Sequence, residues 1–310
     1  MVSSGRPIVS VIIPTLAQPE RVPGLIRAIE NVASQQGVRG LPIVVVNGPY
    51  AAAELTQSLT RRHDLRLITR AEPGLPQALN AGRAAVETPY FSVLDDDDEL
   101  LPGALTTRVR ALDADPDADM VVTNGYVEGF GHRKLNVQDF CEIERDPVRT
   151  LLKRNWLRPC AGTFRTRTIT LDFFEHIPAY REWTYLGLRF VLERTVRFLG
   201  APTFVYHSDT SGSLSKSKAY SLAGPRAIAE MQRLNPPRDI RAMLRAHLTA
   251  DLHSNSERER FDGNHAAAWA WHLRCLARFG GWRYLSYTRH LLWGSVRGLV
   301  AAHGRPRRRS

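Results

Sequence analysis

Tyr90-Phe-Ser-Val-Leu-Asp-Asp-Asp-Asp-Glu-Leu-Leu-Pro102 sets an apolar, strand-like run directly against four adjacent carboxylates, Asp95 to Asp98. Neighbouring negative charges at the end of a buried strand repel one another unless a cation sits among them. Hard divalent cations such as Mg²⁺ and Mn²⁺ take oxygen ligands, typically one or two carboxylates together with phosphate oxygens. Taken alone, the run reads more simply as a solvated acidic turn ahead of a helix opened by Pro102, since acidic residues favour helix N-termini. Its place after a hydrophobic strand turns the reading toward a site.

Outward from this stretch, the first 125 residues alternate β-branched runs with helical patterns. Ile8–Ile13, Ile43–Val46, Leu65–Thr69, Tyr90–Leu94 and Met120–Thr123 read as strands. Their starts fall roughly 25–35 residues apart, the spacing of β–α units in a mostly parallel sheet. Val22–Gln36 and Leu75–Val86 read as helices, the first with Leu25, Ile26, Ile29 and Val32 at helical spacing. Ligands in such sheets bind at the carboxyl ends of the strands, so chemistry is expected just after each one. From about 126 the alternation stops. Gly129, Gly131 and the Arg-rich Lys153–Arg167 suggest loops over the sheet, followed by a helix at Glu182–Arg194 and a strand at Thr203–Tyr206. His207–Ser217 has the composition of a mobile loop.

The chain has 310 residues, enough for one large domain or two coupled ones. Cys141, Cys160 and Cys275 are too few and too scattered for a disulfide framework or a zinc cluster. No run reaches the roughly 18 apolar residues of a membrane span, and the start shows no apolar run of signal-peptide type. A cytoplasmic protein is therefore expected. The net charge of +11 is uneven: residues 225–310 hold 16 Arg and 6 Asp/Glu, with four of the six tryptophans. Such a basic, aromatic segment calls for an anionic partner surface, lipid headgroups or nucleic acid. Nucleic acid is the weaker partner, because no recognised binding motif accompanies the charge.

Val9-Ser-Val-Ile-Ile-Pro-Thr15, Gly74-Leu-Pro-Gln-Ala-Leu-Asn-Ala-Gly82 and Leu94-Asp-Asp-Asp-Asp98, in this order, resemble successive signatures of the family 2 glycosyltransferases. The resemblance covers about residues 7–215. It implies a GT-A fold: an α/β, Rossmann-like, mostly parallel sheet flanked by helices, here with a helical C-terminal extension. It also implies that Pro14, Thr15 and Asn47 line the base pocket, with Gly74 and Asn80 of the middle signature on the donor side. Asp96 is expected near the ribose, and Asp95 and Asp97 near a metal-bound diphosphate.

The chain departs from the family pattern in three places. Asn47 stands where an aspartate is usual, which leaves the base open. Leu79 stands where many relatives carry arginine or lysine, so Arg70 is the candidate phosphate contact. The acidic residue that heads a helix opposite the donor is matched by Tyr180-Arg-Glu-Trp183, so Glu182 is the candidate general base. Without the resemblance, Glu182 would be an ordinary first-turn glutamate. His207 is the remaining candidate metal ligand; an imidazole ligand leans toward Mn²⁺.

These readings predict a metal-dependent (Mn²⁺ or Mg²⁺), inverting transferase. It would move a sugar from a nucleoside-diphosphate sugar, foremost a UDP-sugar, to a glycan or lipid-linked hydroxyl in cell-envelope synthesis. The predicted domains are a catalytic domain over 1–224, with a donor half at about 7–125 and an acceptor half at about 126–224, and a basic helical region over 225–310. That region is expected at the inner face of the cell membrane. Packing of its stripes (Trp269, Leu273, Leu276; Leu285, Leu292, Val296, Leu299) on the catalytic domain, or on a second copy in a homo-oligomer, is the competing reading. The rival functions are a non-catalytic, membrane-docked nucleotide-binding module and a nucleotidyltransferase. The latter normally has a glycine-rich basic loop after its first strand, which Pro14-Thr-Leu-Ala-Gln-Pro19 lacks.

Overall fold

β1 (Val9–Thr15) and its neighbour β4 (Tyr90–Val93) are buried along their whole lengths. Strands covered on both faces read as continuous apolar runs, supplied here by Val9, Val11, Ile12, Ile13, Phe91 and Val93. The computed structural model describes residues 9–210 and 217–292. Around this pair, α1 (Val22–Ala33) leads to β2 (Gly40–Asn47), α2 (Ala53–Thr60) to β3 (Arg66–Arg70), and α3 (Leu75–Ala84) to β4. α1 buries Leu25, Ala28, Ile29 and Val32, the stripe its spacing predicts. The four strands are parallel in the order β3-β2-β1-β4. The chain thus leaves β1 toward one edge and returns on its other side at β4. That reversal makes β1/β4 the topological switch point, where open α/β sheets form a ligand crevice.

Beyond β4 come β5 (Glu99–Leu100), α4 (Ala104–Asp113), β6 (Met120–Gly129) and β7 (His132–Leu135). Then follow α5 (Phe140–Arg145), α6 (Pro147–Lys153), β8 (Gly162–Arg165), α7 (Glu182–Glu193) and β9 (Val196–His207). Among the described residues the strand order is β3-β2-β1-β4-β8-β6-β9-β5, with β7 paired to β6 outside this path. β8 is antiparallel to both β4 and β6, and β9 is parallel to β6. His207 therefore ends β9 on the same side of the sheet as Thr15 and Leu94.

Lys153–Arg167 is not the loop its arginines suggest. β8 lies inside it, in the interior of the sheet, with all four residues buried. Arg165 is tolerated there because its guanidinium donates to the carbonyls of Leu112 and Ala118 and to the Tyr90 hydroxyl. The expected strand at Met120–Thr123 is the first part of the ten-residue β6. Phe130 (φ 52°) and Gly131 (φ 76°) turn it back into β7.

The chain divides into two compact units, Met1–Ser213 and Leu214–Ser310. The second contains α8 (Lys218–Arg233), α9 (Arg238–Phe261), α10 (His265–Leu276) and a 3-10 segment, Gly281–Tyr287. α8 spans position 224, so the units part ahead of the point where the basic composition begins. α10 does not bury the expected Trp269–Leu273–Leu276 stripe. It buries Ala268, His272 and Cys275, and Leu273 is 59% exposed. The polar members of that buried face find partners nearby: His272 Nε2 meets Thr288 Oγ1 at 2.8 Å while its Nδ1 stays without a partner, and the Cys275 thiol donates to the Thr249 carbonyl at 3.4 Å. Val296 and Leu299 of the second expected stripe lie outside the described residues. No described helix is long and apolar enough to cross a membrane.

Candidate active site

The acidic turn continues the β1–β4 ladder: Leu94 N donates to Ile12 O at 3.0 Å, and Asp98 N to Asp95 O at 3.1 Å. The carboxylates then diverge. Asp96 Oδ2 accepts the Thr15 hydroxyl at 2.6 Å, while its Oδ1 pairs with Arg21 Nη2. Arg21 Nη1 reaches Asp97 Oδ2 at 3.4 Å. Asp98 Oδ1 accepts the His207 N–H at 3.0 Å, and its buried Oδ2 has no hydrogen-bond partner. Glu99 faces the His207 ring (Nε2–Oε1 3.4 Å) and Arg27 (3.3 Å). Arg21 ends the 3-10 turn Pro19–Arg21 that caps α1. Gly24, in the first turn of α1, packs so closely that a Cβ there would stand 2.6 Å from the Asp96 carbonyl oxygen. Gly24 thus seats the start of α1 on the backbone of the acidic turn, and the Arg21 guanidinium faces its carboxylates.

Burial and mutual repulsion push the Asp95 and Asp98 carboxyls well above the usual range. Burial also raises Asp96, although its bond to Arg21 works against the shift. Burial opposes the charge on Arg21, but the bond and charge of Asp96, with Asp97 and Asp95 behind it, hold its pKa above the usual value. The cluster therefore holds more carboxylate than its resident cation neutralises. That surplus and the oxygen donors of the aspartate run fit a hard divalent cation. Among the described residues no three His, Cys, Asp or Glu side chains converge as a ready-made metal site.

At the carboxyl ends of the next two strands, Asn47 and Arg70 are register partners. Asn47 Oδ1 and Arg70 Nε are both buried without a hydrogen-bond partner. An unmet buried acceptor beside an unmet buried donor is costly, about 1–3 kcal/mol each, which marks a place where a ligand's polar edge would be stabilising. Gly48 (φ 106°) turns the chain away immediately after, its N–H bonded to Arg70 O at 3.0 Å. Pro14 is buried in β1. Thr15, expected in the base pocket, spends its hydroxyl on Asp96 and on the Ala17 N–H. Gly74 is the N-cap of α3, and Asn80 donates to Phe174 O at 3.4 Å.

Glu182 is the first residue of α7 and is buried. Its Oε1 accepts the Tyr180 N–H at 2.8 Å, and Tyr180 sits in the left-handed region at φ 72°. A bulky side chain there is strained by about 1–3 kcal/mol, which only an over-determined local structure sustains. Burial raises the Glu182 pKa against the opposing backbone hydrogen bonds. Two residues connect the end of α7 to the start of β9. Nearby in the chain, Arg158 donates to Asn136 Oδ1 at 3.2 Å and lies over the Tyr206 ring at 4.5 Å. Burial, with the acidic turn adding to it, pushes the Tyr206 hydroxyl up to about 12.

Three residues at this site escape a reading of the sequence: Arg21, Gly24 and Asp98. Arg21 carries one signal, since a basic residue at a helix start opposes the macrodipole unless an anion faces it. Gly24 reads only as a weak helix former. Asp98 is indistinguishable from its three neighbours by composition.

Residues 10–174, more than half of the chain, match the family described as Glycosyl transferase family 2. Uncharacterized glycosyltransferases of Mycobacterium tuberculosis and Mycobacterium bovis are 31% identical over 109 residues. That stretch is 35% of this chain and 45% of each relative, so the match spans less than half of their length. Among solved structures, residues 1–349 of S. aureus TarS in complex with UDP-GlcNAc superpose with a TM-score of 0.57 at 14% identity, covering 83% of this chain and 75% of that one. The same TarS fragment without ligand in its description gives 0.54. At this identity the likeness is one of fold, and it agrees with the GT-A-type sheet order and the switch-point crevice. Family match and fold together make this chain a member of glycosyl transferase family 2.

Proposed function

We propose that the protein transfers a sugar from a UDP-sugar to an acceptor hydroxyl with inversion at the anomeric carbon. The observation that carries this reading is the pair of unpartnered buried atoms, Asn47 Oδ1 and Arg70 Nε, at the carboxyl ends of β2 and β3, the same end of the sheet from which the acidic turn follows β4. The TarS fragment of similar fold is described in complex with UDP-GlcNAc and with UDP. In this reading Asn47 and Pro14 hold the base, Asp96 the ribose, Gly74 and Asn80 shape the donor side, and Arg70 meets a phosphate.

Asp95 and Asp97, with His207 alongside, would hold Mn²⁺ or Mg²⁺, whose chemistry is to neutralise charge on the departing diphosphate. Glu182 takes the proton of the acceptor hydroxyl as that oxygen attacks the anomeric carbon. The bond from this carbon to the diphosphate oxygen breaks, and the nucleoside diphosphate leaves with the electron pair. A carboxylate raised by burial is a stronger base than a solvated one, which suits this role.

The acceptor is a cell-envelope glycan or a lipid-linked saccharide, reached from the inner face of the membrane. Support for this comes from the second unit: Phe279 is 91% and Trp282 68% exposed, with Leu285 and Leu292 also exposed. From residue 263 onward the sequence has nine arginines and no acidic residue. Exposed aromatic and aliphatic side chains among uncompensated arginines suit an anionic bilayer surface.

The test is calorimetric binding of UDP and other nucleoside diphosphates with Mn²⁺, Mg²⁺ or EDTA. Co-sedimentation with phosphatidylglycerol or phosphatidylcholine vesicles accompanies it. UDP binding that is lost in EDTA is the expected result, with capture by anionic vesicles alone. No binding of any nucleotide would overturn the donor assignment, and equal capture by neutral vesicles the surface assignment.

A further inference from the structure

Arg21 is an odd group to find at a cation site. Its guanidinium spans Asp96 and Asp97, two of the carboxylates that the donor reading gives to ribose and metal. It is held from behind: its N–H bonds to Gln18 O at 2.8 Å, and Gly24 seats the same helix end on the Asp96 backbone. The side chain is nonetheless 21% exposed, so a ligand entering the crevice can reach it. A positive side chain at a helix start is disfavoured by the macrodipole, so the carboxylates hold Arg21 in place rather than the helix. A guanidinium binds two phosphate oxygens as readily as two carboxylate oxygens.

We propose that Arg21 is the resident cation of the acidic turn. It holds Asp96 and Asp97 in the protein without donor, and releases Asp96 to the ribose and Asp97 to a divalent cation when the donor's diphosphate takes up the guanidinium. Metal and donor then bind cooperatively, with Arg21 as the coupling element. This rests on the donor reading above.

The experiment titrates Mn²⁺ into the full chain, with and without UDP, and reads free Mn²⁺ by electron paramagnetic resonance. The wild type should bind Mn²⁺ about tenfold more tightly when UDP is present. Arg21→Gln should bind Mn²⁺ without UDP about tenfold more tightly than the wild type, lose most of the UDP effect, and bind UDP more weakly with Mn²⁺ present. Arg21→Lys keeps the charge but cannot span both carboxylates, so its Mn²⁺ affinity should fall between the two; it also serves if Arg21→Gln does not fold. Unchanged or weaker Mn²⁺ binding in these variants, with the UDP effect intact, would overturn the proposal while leaving the donor site standing. Absence of both Mn²⁺ and UDP binding in the wild type would overturn both.

Discussion

Asp98 accepts the backbone N–H of His207 at 3.0 Å, joining two residues 109 positions apart. One is the last carboxylate of the acidic turn and the other the last residue of β9, so the bond fixes where the chain leaves the sheet relative to the cluster. Asp98→Ala removes the acceptor and should cost about 1.5–3 kcal/mol, the range for hydrogen bonds to charged groups. Asp98→Asn keeps an acceptor and removes a buried charge, so its melting temperature should stay at or above that of the wild type. Both should weaken Mn²⁺-dependent UDP binding. A melting temperature of the Ala variant equal to that of the Asn variant would show that the bond anchors nothing.

Glu182→Gln separates stability from function. The raised pKa means that the folded chain favours the protonated carboxyl, so ionisation of Glu182 removes stability as pH rises through that pKa. Gln keeps the acceptor for the Tyr180 N–H and carries no charge. At neutral pH the variant should therefore melt no lower than the wild type, bind UDP normally, and transfer sugar at least about 10²-fold more slowly. In the wild type the rate should fall on acidification at a pH above the ordinary carboxylate range. Retained activity in Glu182→Gln removes the base assignment.

Gly24→Ala pits two effects against each other. Alanine is the better helix former by about 1 kcal/mol, but its Cβ would stand 2.6 Å from a backbone oxygen that cannot swing away. The clash should win: a lower melting temperature and UDP affinity reduced by about tenfold or more, as the whole acidic turn is displaced. An unchanged calorimetric UDP affinity would mean that the turn adapts freely.

In the second unit, His253 stacks on Tyr284 at 4.2 Å between ring centroids, and His272 is fully buried. Burial lowers both histidine pKa values. The folded unit keeps them neutral, whereas the unfolded chain takes up protons near the ordinary pKa of about 6.5. Their contribution to stability is therefore present above about pH 6.5 and lost as pH falls through the depressed folded values. Thermal melts followed by circular dichroism from pH 8 to pH 5 should show this loss, and His272→Gln should flatten it. Equal pH dependence in wild type and variant would place the effect elsewhere.

The parallel half of the sheet is legible in the residues because its signals are local. Alternating β-branched and 3.6-period runs mark β1 to β4 and the helices α1 and α3 to within a few residues, while α2 and the strand order that makes the switch point come from the structure. The acidic turn is legible for the same reason, as a charge run abutting a buried strand. β8 is not legible, because its arginines look solvated until Leu112 and Ala118 supply carbonyls from another part of the chain. The buried face of α10 is hidden likewise: the Trp269–Leu273–Leu276 stripe outranks a face that carries a histidine, yet Thr288 meets His272 Nε2 and the Thr249 carbonyl accepts the Cys275 thiol inside.

The sequence by itself determines the family, the order of the β–α units and the location of the carboxylates, since these depend on neighbours within a few residues. Only the tertiary structure decides how those carboxylates are spent. Asp96 goes to Thr15 and Arg21, Asp98 goes to His207, and Asn47 and Arg70 are left with buried atoms unpaired. Hydrogen bonding and desolvation act between groups that folding brings together from distant positions, and no local pattern in the chain encodes which partner each one meets.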